Sequence, residues 1–97
     1  MGKHQNVNAI RRIESRIGTK ERNTGVDFKT NRKAWEFAET KQDINHGINQ
    51  LSKSRVSGQK TLVVPQRLAK TAKDAATGTG IRVENVGGKT LKKGRRS

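Results

Sequence analysis

Apolar residues recur with a helical period at the start of the chain. Val7, Ile10, Ile13 and Ile17 fall three or four residues apart. At 100° per residue they share one stripe, opposite Arg11, Arg12 and Arg16. The spacing predicts an amphipathic helix over about 5–17, stopped by Gly18, where a left-handed C-terminal residue is cheapest. The following GTKERNTG has the composition of a loop. Thr30 or Asn31 then offers a cap for a second helix over about 31–52, lined by Ala34, Phe37, Ile44, Ile48 and Leu51, with Trp35 beside the stripe. Gly47 weakens that helix by about 1 kcal/mol relative to Ala and marks a site of kinking or fraying.

The period changes after the linker-like SKSRVSGQ. Thr61-Leu62-Val63-Val64 is short, β-branched and closed by Pro65, which suits an edge strand or an extended docking segment. A brief helix over 66–76 has only Leu68, Ala72 and Ala76 as its stripe, too thin to hold by itself. Thr77-Gly78-Thr79-Gly80 breaks it. Ile81, Val83 and Leu91 then suit a small hairpin around Gly87-Gly88, with Arg82, Glu84 and Lys89 outward. The closing LKKGRRS reads as a solvated basic arm.

Composition changes how these elements are weighed. Six Ile, four Leu, seven Val and two Phe make 19 strong core formers in 97 residues, near the roughly 20% level below which a highly charged chain is usually disordered alone. The expected fold is therefore mostly α, with an extended, partly disordered basic C-terminal half, a small β-hairpin and little independent core, so that folding waits on a partner. Two segments are expected: 1–51, helical, and 52–97, basic and loop-rich, with a tail at 92–97. The first carries ten basic and six acidic residues, a net of +4, and the second twelve against Asp74 and Glu84, a net of +10, within a total of +14. A segment of one sign repels itself and seeks a polyanion.

That asymmetry assigns phosphate contacts to Lys53, Arg55, Lys60, Arg67, Lys70, Lys73, Arg82, Lys89, Lys92, Lys93, Arg95 and Arg96. Protein docking falls to Val7, Ile10, Ile13, Ile17, Trp35, Phe37, Ile44, Ile48 and Leu51. The cluster Arg11, Arg12 and Arg16 reads first as a solvated face, because Glu14 and Glu21 interrupt it. Trp35 reads as a hydrophobic anchor in preference to a base-stacking platform.

Chemistry finds little footing. With no cysteine there is no disulfide framework or thiolate site, and His4 and His46 stand 42 residues apart without ligand spacing, so neither metal nor cofactor is expected. VENVGGKT ends like a phosphate-binding loop but has Val83 where the opening glycine belongs, and no helix-forming run follows Thr90. A helix-turn-helix over RLAKTAKDAATGTGIRVENV fails on Gly78 and Gly80 inside the recognition helix. Glu36, Glu39 and Asp43 fit a salt-bridged helix surface better than an acid–base site. No apolar window suits a secretory leader or a membrane span. The expectation is a non-enzymatic, unsecreted protein, intracellular or packaged.

The order SGQKTLVVP from Ser57, then GTGIRV over 78–83, resembles small basic virion proteins of short-tailed phages, the portal and head-to-tail components. The resemblance covers about 27 residues. Gln66–Thr77 is a long spacer for that pattern, Arg82 stands where those proteins tend to have Asn, and the chain runs past Val83. The resemblance implies a structural subunit near packaged DNA, with no catalytic residue, and so favours DNA over RNA and protein partners in a multi-subunit particle. A ribosomal RNA-binding protein fits the same charge logic, and a phage regulator of a host nucleic-acid enzyme is the rival from another class.

Overall fold

The computed structural model describes residues 7–18, 28–29, 32–54 and 58–94. Along them run α1 (Val7–Ile17), β1 (Phe28–Lys29), β2 (Ala34–Phe37), α2 (Lys41–Lys53), β3 (Lys60–Val64), a 3-10 turn (Gln66–Leu68), α3 (Ala69–Ala76), β4 (Arg82–Asn85) and β5 (Thr90–Lys92). The five strands lie side by side in chain order in one sheet. β2, β3 and β4 are mutually parallel, and β1 and β5 flank them antiparallel. Parallel neighbours need a crossover, which α2 supplies between β2 and β3 and α3 between β3 and β4.

This α/β architecture overturns the expectation of a mostly α chain with a disordered basic half. The described part of that half supplies three strands and a helix, and β3 hydrogen-bonds to β2 of the first half. The helix expected over 31–52 divides. Ala34, Trp35, Glu36 and Phe37 form a strand buried on both faces, so no alternation of polar and apolar residues marks it. The helix begins only after Thr40, whose extended backbone and hydroxyl cap it, the Oγ1 accepting the Asp43 N–H at 3.3 Å. The alternative caps, Thr30 and Asn31, lie outside the described residues. Nor is β3 an edge: it pairs in parallel on both sides. Pro65, at φ −61° and ψ 150°, stands just past it and leads into the 3-10 turn, so its missing N–H interrupts no ladder.

Alternation along the strands sends side chains to two cores. Ala34, Ala38, Leu62, Val64 and Val83 face α2 and α3, packing with Ile44, Leu51, Leu68, Ala72 and Ala76. Trp35, Phe37 and Val63 face α1, packing with Ala9, Ile10, Ile13 and Phe28. Counting only large apolar residues understates this core. Ala9, Ala34, Ala38, Ala72 and Ala76 are buried too, and their small side chains let helices and sheet approach closely enough to exclude water.

The residues expected to dock on another protein are spent here. Ile10, Ile13, Trp35 and Phe37 are buried beneath α1, with Ile17 partly so. Ile44 and Leu51 are buried beneath α2, with Ile48 partly so. Of Val7 the backbone alone is described. The partner of the helical stripes is the chain's own sheet.

Gly47 has a different role from the kink expected of it. A Cβ there would stand 2.8 Å from Leu62 Cδ1 and 3.0 Å from Glu36 Cγ, so the bare backbone of α2 lies directly against the sheet. Among the described residues no helix is long and apolar enough to cross a membrane.

Candidate nucleic-acid interface

Two rows of side chains cross the sheet beneath α1. Trp35, Thr61 and Arg82 are in register on β2, β3 and β4, and Phe37, Val63 and Glu84 form the next row. Ile10 and Ile13 help to bury the Phe37 and Val63 end. The last turn of α1, bearing Arg16 and Ile17, overhangs the other end, and between them lies a cavity of about 800 Å³ at the amino ends of the parallel strands.

Its charge is lopsided. Among the described residues Arg16, Arg32, Lys33 and Arg82 line it against a single carboxylate, Glu84, with Trp35, Ile17 and Gln59 beside them. Glu84 is buried and organises two of the cations. Arg16 Nη1 donates to its Oε1 at 3.0 Å, and Arg82 Nε donates to its Oε2 at 2.8 Å. Arg82 Nη2 also donates to Thr90 Oγ1 on β5. Each guanidinium has five N–H donors in a rigid plane, and among the described residues these bonds engage one donor of Arg16 and two of Arg82. Side chains of both arginines remain 27% exposed.

The turn between β4 and β5 clears a path for this network. Gly88 has φ +96°, and a Cβ there would meet Arg16 Cδ at 2.7 Å. A glycine therefore supplies both the left-handed backbone and the room for Arg16 to reach Glu84. Asn85 ties the turn, its Oδ1 accepting the Lys89 N–H at 2.9 Å. The string that resembled a phosphate loop is this turn, and its tethered geometry serves the arginine. Arg82 and Glu84, expected outward on the hairpin, instead point beneath α1, because a helix from the far end of the sequence covers that face.

The twelve residues assigned to phosphate contact are not gathered in one place. Arg82 lies in the cavity. Lys53, Arg67, Lys70 and Lys73 belong to the helical layer on the other face, where Arg67 Nη2 donates to the Glu39 carbonyl at 2.9 Å and braces the β2–α2 connection. Lys60 opens β3 and is half-buried, Lys89 is exposed on the β4–β5 turn, Lys92 is half-buried in β5, and Lys93 is exposed beyond it. Arg55, Arg95 and Arg96 lie outside the described residues. Sequence reading missed Arg16, Arg32 and Lys33 as partners of Arg82 because they sit in the half with balanced charge. One signal was present: in Arg82-Val83-Glu84 two charges alternate with a β-branched residue, which places both on one face of a strand.

Glu36, Glu39 and Asp43 also part company. Glu36 is buried on β2 facing α2, Glu39 lies in the connection after it, and Asp43 sits in the first turn of α2. Among the described residues no group of three or more His, Cys, Asp and Glu side chains is placed to hold a metal ion. A second cavity, of about 410 Å³ at the carboxyl ends of the strands, is lined by the amides of Asn8, Gln66 and Asn85 with Arg12 as its charged group. Asn85 Nδ2 there donates to Gln66 Oε1 at 3.0 Å. Of the two cavities, the amino-end one carries more cations among the described residues.

No protein-family model, curated protein or solved structure matches the chain.

Proposed function

We propose that this chain is a non-enzymatic domain that holds nucleic acid by its phosphate backbone, without readout of base sequence, as a component of a nucleoprotein assembly. The observation that carries the reading is the amino-end cavity, where among the described residues four cations meet one carboxylate, on a chain of net charge +14. Guanidiniums fixed by a carboxylate match the geometry of phosphate oxygens, and such contacts fix position without carrying sequence information. Lysines on the opposite helical layer add a diffuse field that attracts the same polyanion. The resemblance of residues 57–83 to phage virion proteins supplies the setting, a particle with packaged DNA, and through it the preference for DNA.

Fluorescence anisotropy between 50 and 300 mM salt tests the reading. With about six to eight phosphates engaged, log K should fall against log salt with a slope of about −5 to −7 on duplex DNA, and unrelated sequences should bind alike. No binding of either duplex or single-stranded DNA at 50 mM, or a slope shallower than about −2 for the form that binds, would remove nucleic acid from the function.

A further inference from the structure

We infer that the amino-end cavity is a single-strand site, taking one or two nucleotides with a phosphate on the guanidinium N–H groups of Arg16 and Arg82 that do not bond Glu84 or Thr90. This rests on the nucleic-acid reading above and names the form of nucleic acid. The first argument is shape. A cavity of about 800 Å³ is the size that encloses a small organic ligand, roughly one to two nucleotides. A duplex keeps its phosphates on a convex surface with bases stacked inside. A single strand is flexible enough to feed a phosphate into a recess and lay its unstacked base against the wall.

The second argument is the recess of the cations themselves. Arg16 and Arg82 are held toward the sheet by Glu84, which is only 8% exposed. They are not splayed over the surface in the way a duplex-contacting lysine arm would be. The third is the wall. Half-buried Ile17 and the small exposed part of Trp35 provide apolar surface beside the cations, and Gln59 provides an amide, a mixture of apolar and hydrogen-bonding groups that suits an unpaired nucleotide.

Glu84 is then a positioning residue. It lowers the net positive charge of the cavity, yet it fixes both forks. Glu84→Gln should therefore weaken single-strand binding although it removes a negative charge, whereas a site built on net charge alone would bind more tightly.

The test uses the full chain with a 12-nucleotide DNA strand and a 20-base-pair duplex at equal salt. Trp35 is the single tryptophan, so its emission reports directly on the cavity. The single strand should shift that emission, and the duplex should leave it unchanged. Arg82→Lys, which keeps the charge and removes the fork, should weaken the single strand about tenfold and leave the duplex within about twofold. Thermal melts accompany each variant, and where Glu84→Gln does not fold, Arg82→Lys and the Trp35 signal decide. Binding of both ligands without a change in Trp35 emission, preference for the duplex, or tighter single-strand binding by folded Glu84→Gln would each overturn the site and leave the general function standing. Binding of neither would overturn both.

Discussion

Phe37→Ala should remove about 3–5 kcal/mol of folding free energy, read by urea denaturation of the isolated monomer. Phe37 is 1% exposed on β2, in the core beneath α1 with Ile10, Ile13, Phe28 and Val63. Truncation there loses the transfer energy of the ring and leaves a cavity that the sheet backbone cannot collapse to fill. Domains of this size hold about 5–15 kcal/mol in total, so the variant should lose about a fifth of its stability or more. At about 4–8 °C per kcal/mol its melting temperature should fall by about 12–40 °C. The parent must first show a cooperative transition as a monomer, which a chain that folded only on assembly would not. A parent without a transition, or a variant with an unchanged midpoint, would contradict the core.

Gly47→Val should destabilise by about 2–3 kcal/mol, against the sign that helix propensity alone predicts. In an exposed helix, replacing Gly by Ala gains about 1 kcal/mol. At this position the added Cβ meets Leu62 Cδ1 and Glu36 Cγ, and Leu62 is fully buried in the core beneath α2. Valine adds two methyl groups to that overlap, and α2 must lift from the sheet to accept them. His46→Ala, at the exposed neighbouring position, is the control and should change stability by less than about 0.5 kcal/mol. Equal effects at 46 and 47 would show that α2 does not rest its backbone on β2 and β3.

These two sites also mark where the sequence was legible. α1 was, because a four-residue apolar stripe ending in glycine has one physical reading, and Gly18 does donate its N–H to the Glu14 carbonyl at 2.8 Å with φ +77°. The strand before Pro65, the helix after it and the hairpin around Gly87 were legible for the same local reasons. β2 was not. Ala34 and Phe37 fit a helical stripe in register with Ile44, and a strand buried on both faces has no period of its own to compete with that fit. Misreading it turned the sheet into a helix, and α1 and α2 into surfaces in need of a partner. The cavity was less accessible still. Arg16 and Glu84 meet across 68 residues of sequence, and charge counted by halves separates the cations that the fold brings together.

Because the strands stand in chain order, each one emerging from the ribosome finds its neighbour already made, and no later strand has to be threaded between two earlier ones. The exception is α1. It is synthesised first, but its bed is Phe28, Phe37 and Val63, and the carboxylate that ties it down is Glu84. At about 5–20 residues per second, the 67 residues between Ile17 and Glu84 take roughly 3–13 s to make. Until Val63 is made Ile10 and Ile13 lack part of their bed, and until Glu84 is made the helix lacks its tie, which makes α1 the helix longest exposed to a chaperone on the nascent chain.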